Sequence, residues 1–136
     1  MKEIISKSID PIINALLSYA TSREKISREY EIYIQSLNRK LYVFELEGLM
    51  VGCIGIEFVC SNKCEIKHIA VFPNKRGKMI GSKMIKYICD TYSLSFIFAE
   101  TDRDAVEFYR KYGFEITSLG EKYPGTERFL CEYKVI

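Results

Sequence analysis

No apolar run in this chain reaches the roughly 18 residues that a membrane-spanning helix needs. The opening stretch, MKEIISKSIDPIINALL, scatters charges along its length and has no continuous apolar core. No secretory signal is therefore expected. Proline occurs only 3 times in 136 residues, and 48% of positions are hydrophobic against 28% charged. That balance excludes a disordered or fibrous chain and suits one globular domain over residues 1–136. Charge of one sign is scarce too: the formal net charge is +2, too small to argue for nucleic acid. The expectation is a soluble, cytoplasmic protein without membrane or nucleic-acid partners, as a monomer or homodimer.

Histidine occurs once, as His68, and there are 5 cysteines: Cys53, Cys60, Cys64, Cys89 and Cys131. Cys60 and Cys64 flank a turn, but one histidine and no second cysteine pair do not make a structural zinc site. An odd count without paired spacing fits reduced, mostly buried thiols. No metal and no cysteine nucleophile are expected.

What is present is a change of period along the chain. Asp10 followed by Pro11 reads as an N-cap and first-turn proline, with Ile12, Ile13, Leu16, Leu17 and Ala20 forming a helical stripe. Thr21 and Glu24 have capping-box spacing ahead of a second helix carrying Ile26, Tyr30, Tyr33, Ile34 and Leu37. From residue 40 the chain is β-rich, with a hairpin signal at Glu47-Gly48. Gly52 and Gly55, inside the next run, predict a bulge or a close backbone approach. CEIKHIAVF follows as a strand, MIGSKMIKYICDTY as a helix, SLSFIFAE as a buried strand and DRDAVEFYRKY as a helix that Gly113 stops. Two strands finish the chain. The order β-α-α-β-β-β-α-β-α-β-β predicts an α/β fold: a mixed, mostly antiparallel sheet of six to seven strands with helices on both faces.

VFPNKRGKMIGSKMI, residues 71–85, runs from a strand through a basic turn into a helix. A helix N-terminus presents unpaired N–H groups and a partial positive charge, which together bind anions. Lys75, Arg76 and Lys78 add cations. There is no GKS or GKT in a Walker arrangement and no GxGxxG, which excludes a P-loop NTPase and a dinucleotide fold. A solvated basic turn is the alternative that this loop alone leaves open.

IKHIAVFPNKRGKMIGSKMIKYI resembles the acetyl-CoA motif of the GCN5-related N-acetyltransferases (GNAT family), and DAVEFYRKYGFEI resembles their AxxFYxxxGF signature. The resemblance covers residues 40–136 well. It implies a GNAT-like fold, acetyl-CoA as co-substrate and an amine as acceptor. Backbone groups of Ile69, Ala70 and Val71 would pair with the pantetheine arm. Amides of Arg76, Gly77, Lys78, Met79, Ile80, Gly81 and Ser82 would hold the pyrophosphate. Two residues depart from the pattern. Met79 replaces its first glycine, and Asp102 stands where an Asn often contacts the cofactor. Met79 is expected to be helical and so free of strain; Asp102 is expected to cap a helix.

Acetyl transfer to an amine requires a base, a stabilised oxyanion and an acid for the departing thiolate. The resemblance implies Tyr109 as the acid and the amide of Val71, or one near it, as the oxyanion donor. Glu65 stands where the histone-acetylating branch carries its glutamate, and alternation places it on one face with Lys67, Ile69 and Val71. Glu57 and His68 are rival bases, and a surface carboxylate paired with Lys67 is the plain alternative for Glu65. Glu24, Glu29, Glu31, Glu57 and Glu65 offer an acidic patch for an amine, with Tyr30, Tyr33 and Tyr123 to line it. A non-catalytic acyl-CoA-binding module and a basic nucleic-acid binder are the competing functions.

Overall fold

The structure is a computed structural model and describes residues 1–135. Capping chemistry sets the first helix, α1 (Pro11–Leu17): the Asp10 carboxylate accepts from the Ile12 N–H at 2.7 Å, and Pro11 fills the first turn. A second helix, α2 (Arg23–Gln35), starts at Ser22 without a side-chain cap, so the capping box expected from Thr21 and Glu24 does not form. It buries Ile26, Tyr30 and Tyr33, while Leu37, expected on its stripe, lies past the helix end and is fully exposed.

The strands are β1 (Lys2–Glu3), β2 (Arg39–Leu46), β3 (Leu49–Cys60), β4 (Lys63–Val71), β5 (Phe96–Asp102), β6 (Glu115–Tyr123) and β7 (Thr126–Lys134). The later helices are α3 (Ile80–Thr91) and α4 (Val106–Tyr112). Among the described residues the strands form one sheet in the order β1-β2-β3-β4-β5-β7-β6, in which only β4 and β5 run parallel. The mixed sheet and its element order are those expected from the changes of period.

Two apolar clusters sandwich the sheet. Helices α1 and α2 lie against β2, β3 and β4, burying Leu16, Leu17, Ile26, Tyr33, Leu41 and Cys53. Helices α3 and α4 cover the other face, α3 against β3 and β4 and α4 against β6 and β7. There Ile54, Ile56, Met84, Ile85, Ile88 and Ile97 are fully buried. Among the described residues no helix is long and apolar enough to cross a membrane.

Candidate active site

The parallel pair at the middle of the sheet is short. β4 and β5 are in register only over Lys63–Glu65 and Phe96–Phe98. Immediately beyond, β4 bulges. Against β3, Ile66 stands opposite Ile56 and His68 opposite Gly55, so Lys67 is the extra residue. A bulge bends and twists its strand, and here β4 turns away from β5. A cleft of about 740 Å³ opens between them. Ile69, Ala70 and Val71 form one wall; Phe108, Tyr109 and Tyr112 of α4 form the other.

The bulge also reverses which face each residue occupies. Cys64 and Ile66 pack on the α3 side, and so do Ile69 and Val71 after it, whereas Ala70 packs on the α1 side. Glu65 pairs with Glu57 and lies on the α2 face. Strict alternation therefore fails: Glu65 does not share a face with Ile69 and Val71. It lies where the two strands part, outside the cleft lining, and Lys67 Nζ is 3.4 Å from its carboxylate.

At one end of the cleft, the chain leaves β4 through a short turn (Pro73–Lys75) and enters α3. Lys75, Arg76, Gly77, Met79, Ile80, Gly81 and Ser82 all line the cleft there, while Lys78 does not. Met79 precedes the first helical residue with φ 61° and ψ 24°, in the left-handed region, and is 69% exposed. The helical, strain-free conformation expected for it is not adopted. The chain must reverse direction into α3 at this point, a turn that a glycine would make without strain. The Arg76 side chain folds back so that Nε donates to the Val71 carbonyl at 3.0 Å, with its guanidinium 5.6 Å from the Tyr19 ring centre. Gly81 has a packing role: a Cβ there would lie 2.8 Å from the Phe108 ring. A side chain at position 81 would displace the Phe108 ring from its place against α3.

Tyr109 is held rigidly. Its ring meets Phe108 and Phe114 edge-on, each with centroids 5.1 Å apart, and only 4% of the residue is exposed. Burial, with a smaller contribution from Cys131, pushes its pKa well above the usual 10. The hydroxyl is therefore protonated throughout the physiological range. Asp102 accepts from the N–H groups of Asp104 and Ala105 at 3.0 and 3.1 Å and so closes the turn ahead of α4; the helix itself starts after Ala105 without a side-chain cap, so the capping role expected of Asp102 is not met.

A polar network occupies the opposite face. Arg39 bonds Glu57 at 2.6 Å and Glu29 at 3.4 Å, so one guanidinium is shared by two of the carboxylates anticipated as an acidic patch, and the trio keeps a net negative charge. His68 is buried. Its Nδ1 lies 2.5 Å from the Tyr33 hydroxyl and its Nε2 lies 3.7 Å from Glu29. Burial lowers its pKa, against the pull of Glu29, and Arg39 and Lys67 lower it further. Sequence reasoning missed this Tyr33–His68 contact. The signal for it was Gly55, where a Cβ would sit 2.0 Å from the Tyr33 hydroxyl. Tyr19, Lys111 and Tyr112 also line the cleft without having been singled out for it.

A family model described as an acetyltransferase (GNAT) domain matches residues 37–116. The chain belongs to the GNAT acetyltransferases. This GNAT protein is 30% identical over 89 residues to an uncharacterized N-acetyltransferase in the lysA 3′ region of Bacillus methanolicus, an alignment spanning 63% of this chain and 74% of that one. Its fold is similar to that of a GNAT family acetyltransferase from Elizabethkingia anophelis with acetyl-CoA bound: TM-score 0.74 at 22% identity, covering 98% of this chain and 95% of that one. An IAA acetyltransferase from Bacillus cereus gives a TM-score of 0.75 at 22% identity, covering 98% and 97%. At these identities the structural likeness is one of fold.

Proposed function

We propose that this GNAT protein transfers the acetyl group of acetyl-CoA to a primary amine by direct attack in a ternary complex. The observation that carries this reading is the parting of β4 from β5. It leaves a strand edge at Ile69–Val71 without its β5 partner, with a basic helix N-terminus at one end and a protonated tyrosine on the facing wall. A pantetheine arm laid along β4 would hydrogen-bond that edge as an added strand. The Gly77–Ser82 amides and the cations of the turn would receive the pyrophosphate. Acetyl-CoA and coenzyme A bound to relatives of the same fold support this placement.

The thioester would then lie in the gap, open to both faces of the sheet. Glu65 is on the α2 face and Tyr109 on the α3–α4 face, so base and acid approach from opposite sides. The amine nitrogen attacks the carbonyl carbon and gives its proton to Glu65, directly or through a water. The tetrahedral oxyanion is met by a β4 amide at or near Val71. As the C–S bond breaks, the Tyr109 hydroxyl protonates the sulfur and the phenolate recovers a proton from solvent. Of the rival bases, Glu57 is held by Arg39 at 2.6 Å and His68 by Tyr33 at 2.5 Å, whereas the Lys67 contact of Glu65 is longer, at 3.4 Å, which favours Glu65.

Thermal unfolding with and without acetyl-CoA is the first test. Ligand at 100 times Kd stabilises by about 2.7 kcal/mol; no shift at millimolar acetyl-CoA overturns the reading. Tyr109→Phe is expected to lower kcat at least tenfold and leave acetyl-CoA binding nearly unchanged. Unaltered turnover would remove Tyr109 from the mechanism, and binding without turnover in the wild type would leave an acyl-CoA-binding module.

A further inference from the structure

The bulge that opens the cleft is pinned from below, and the pin is made of side chains. Lys67 is the extra residue of β4, and the next residue, His68, turns inward to the α2 face opposite Gly55. Tyr33 reaches it from α2 across the bare backbone of Gly55, with its hydroxyl 2.5 Å from His68 Nδ1. Any side chain at position 55 would take the place of that hydroxyl. Glu29 lies 3.7 Å from Nε2, which favours the ring proton there, so Nδ1 accepts from the tyrosine. Arg39, 5.5 Å from the Tyr33 ring centre and bonded to Glu29 and Glu57, holds the far side of the pair.

The geometry points to Tyr33 and His68 as positioning residues that hold the β4 bulge and so keep the edge at Ile69–Val71 clear of β5 for the cofactor. This rests on the acetyl-CoA reading above. Three observations coincide at one turn of chain: pairing with β5 ends at Glu65, the register slips at Lys67, and the His68 side chain is anchored to a helix. Without the anchor, only the pairing of His68 with Gly55 opposes relaxation of the extra residue between Ile66 and Ile69. The strand would then be free to re-pair with β5 and close the cleft from its narrow end. His68 thus acts on the cofactor through the backbone of Ile69 and not as the proton acceptor.

Acetyl-CoA titrations by calorimetry on the full chain test this, beside thermal melts and amide exchange. His68→Asn places an amide oxygen near the position of Nδ1 and is expected to keep Kd within threefold. Tyr33→Phe and His68→Leu break the contact, and both are expected to weaken acetyl-CoA binding about tenfold. Amides 66–69 should then exchange faster, while the melting temperature moves only a few degrees. Wild-type-like binding by Tyr33→Phe, which removes a single oxygen and keeps the ring, overturns the proposal whether or not His68→Leu folds. So does a His68→Asn variant as impaired as His68→Leu. A wild type that does not bind acetyl-CoA overturns the reading of function itself, and this inference with it.

Discussion

Met79 shows how a single residue sets the quality of the phosphate loop. With φ at 61° and the side chain 69% exposed, it keeps its amide as a donor but adopts a conformation that costs a non-glycine residue roughly 1–2 kcal/mol. Glycine would return roughly 0.5–1 kcal/mol of that through its freer unfolded state. Met79→Gly is therefore expected to stabilise the protein by about 0.5–1 kcal/mol, seen as a higher urea midpoint with acetyl-CoA affinity changed less than tenfold. A lower midpoint would mean that the methionine side chain makes contacts worth more than the strain.

Between elements, α3 meets α4 at the cleft through Gly81 and the Phe108 ring. Gly81 and Phe108 meet so closely that even one carbon forces the ring aside. Gly81→Ala is expected to destabilise by about 1–3 kcal/mol, as overpacked cores do, and Phe108→Leu should relieve much of that loss in the double variant. A double-mutant cycle in chemical denaturation measures this. Strictly additive effects would show that the glycine serves ligand approach and not helix packing. The same cycle tells whether loss of binding in larger substitutions at position 81 reflects the ligand or the displaced Phe108 wall.

Across the whole molecule, the sheet separates two kinds of chemistry. The α3–α4 face is apolar around a tyrosine that stays protonated; the α2 face carries ion pairs and the one histidine. His68 has a folded pKa below its ordinary 6.5, caused first by burial, with Arg39 and Lys67 adding to it and Glu29 opposing. The unfolded chain then binds the proton more readily, so stability is fully present above about pH 6.5 and is lost as pH falls below it. Melts between pH 7.5 and 5 should show the wild type losing stability faster than His68→Leu, by at most about 1.4 kcal/mol per pH unit. Parallel curves would mean that His68 titrates alike folded and unfolded.

Local chemistry was enough to read the element order, the mixed sheet, the capping by Asp10, and the loop that faces the cleft. Each depends on period, turn residues or a cap spanning three or four positions. The sequence by itself also pointed to a bulge or a close approach at Gly52 and Gly55, because a glycine within a strand is otherwise unfavourable. Only the tertiary structure decided that Gly55 makes room for Tyr33, which lies 22 positions away on a helix. It likewise decided the face that Glu65 occupies, because one inserted residue at Lys67 inverts an alternation that looks unbroken in the sequence. The internal use of Glu29 and Glu57 by Arg39 was equally invisible: ion pairs form between side chains that folding brings together, and nothing in their spacing along the chain announces it.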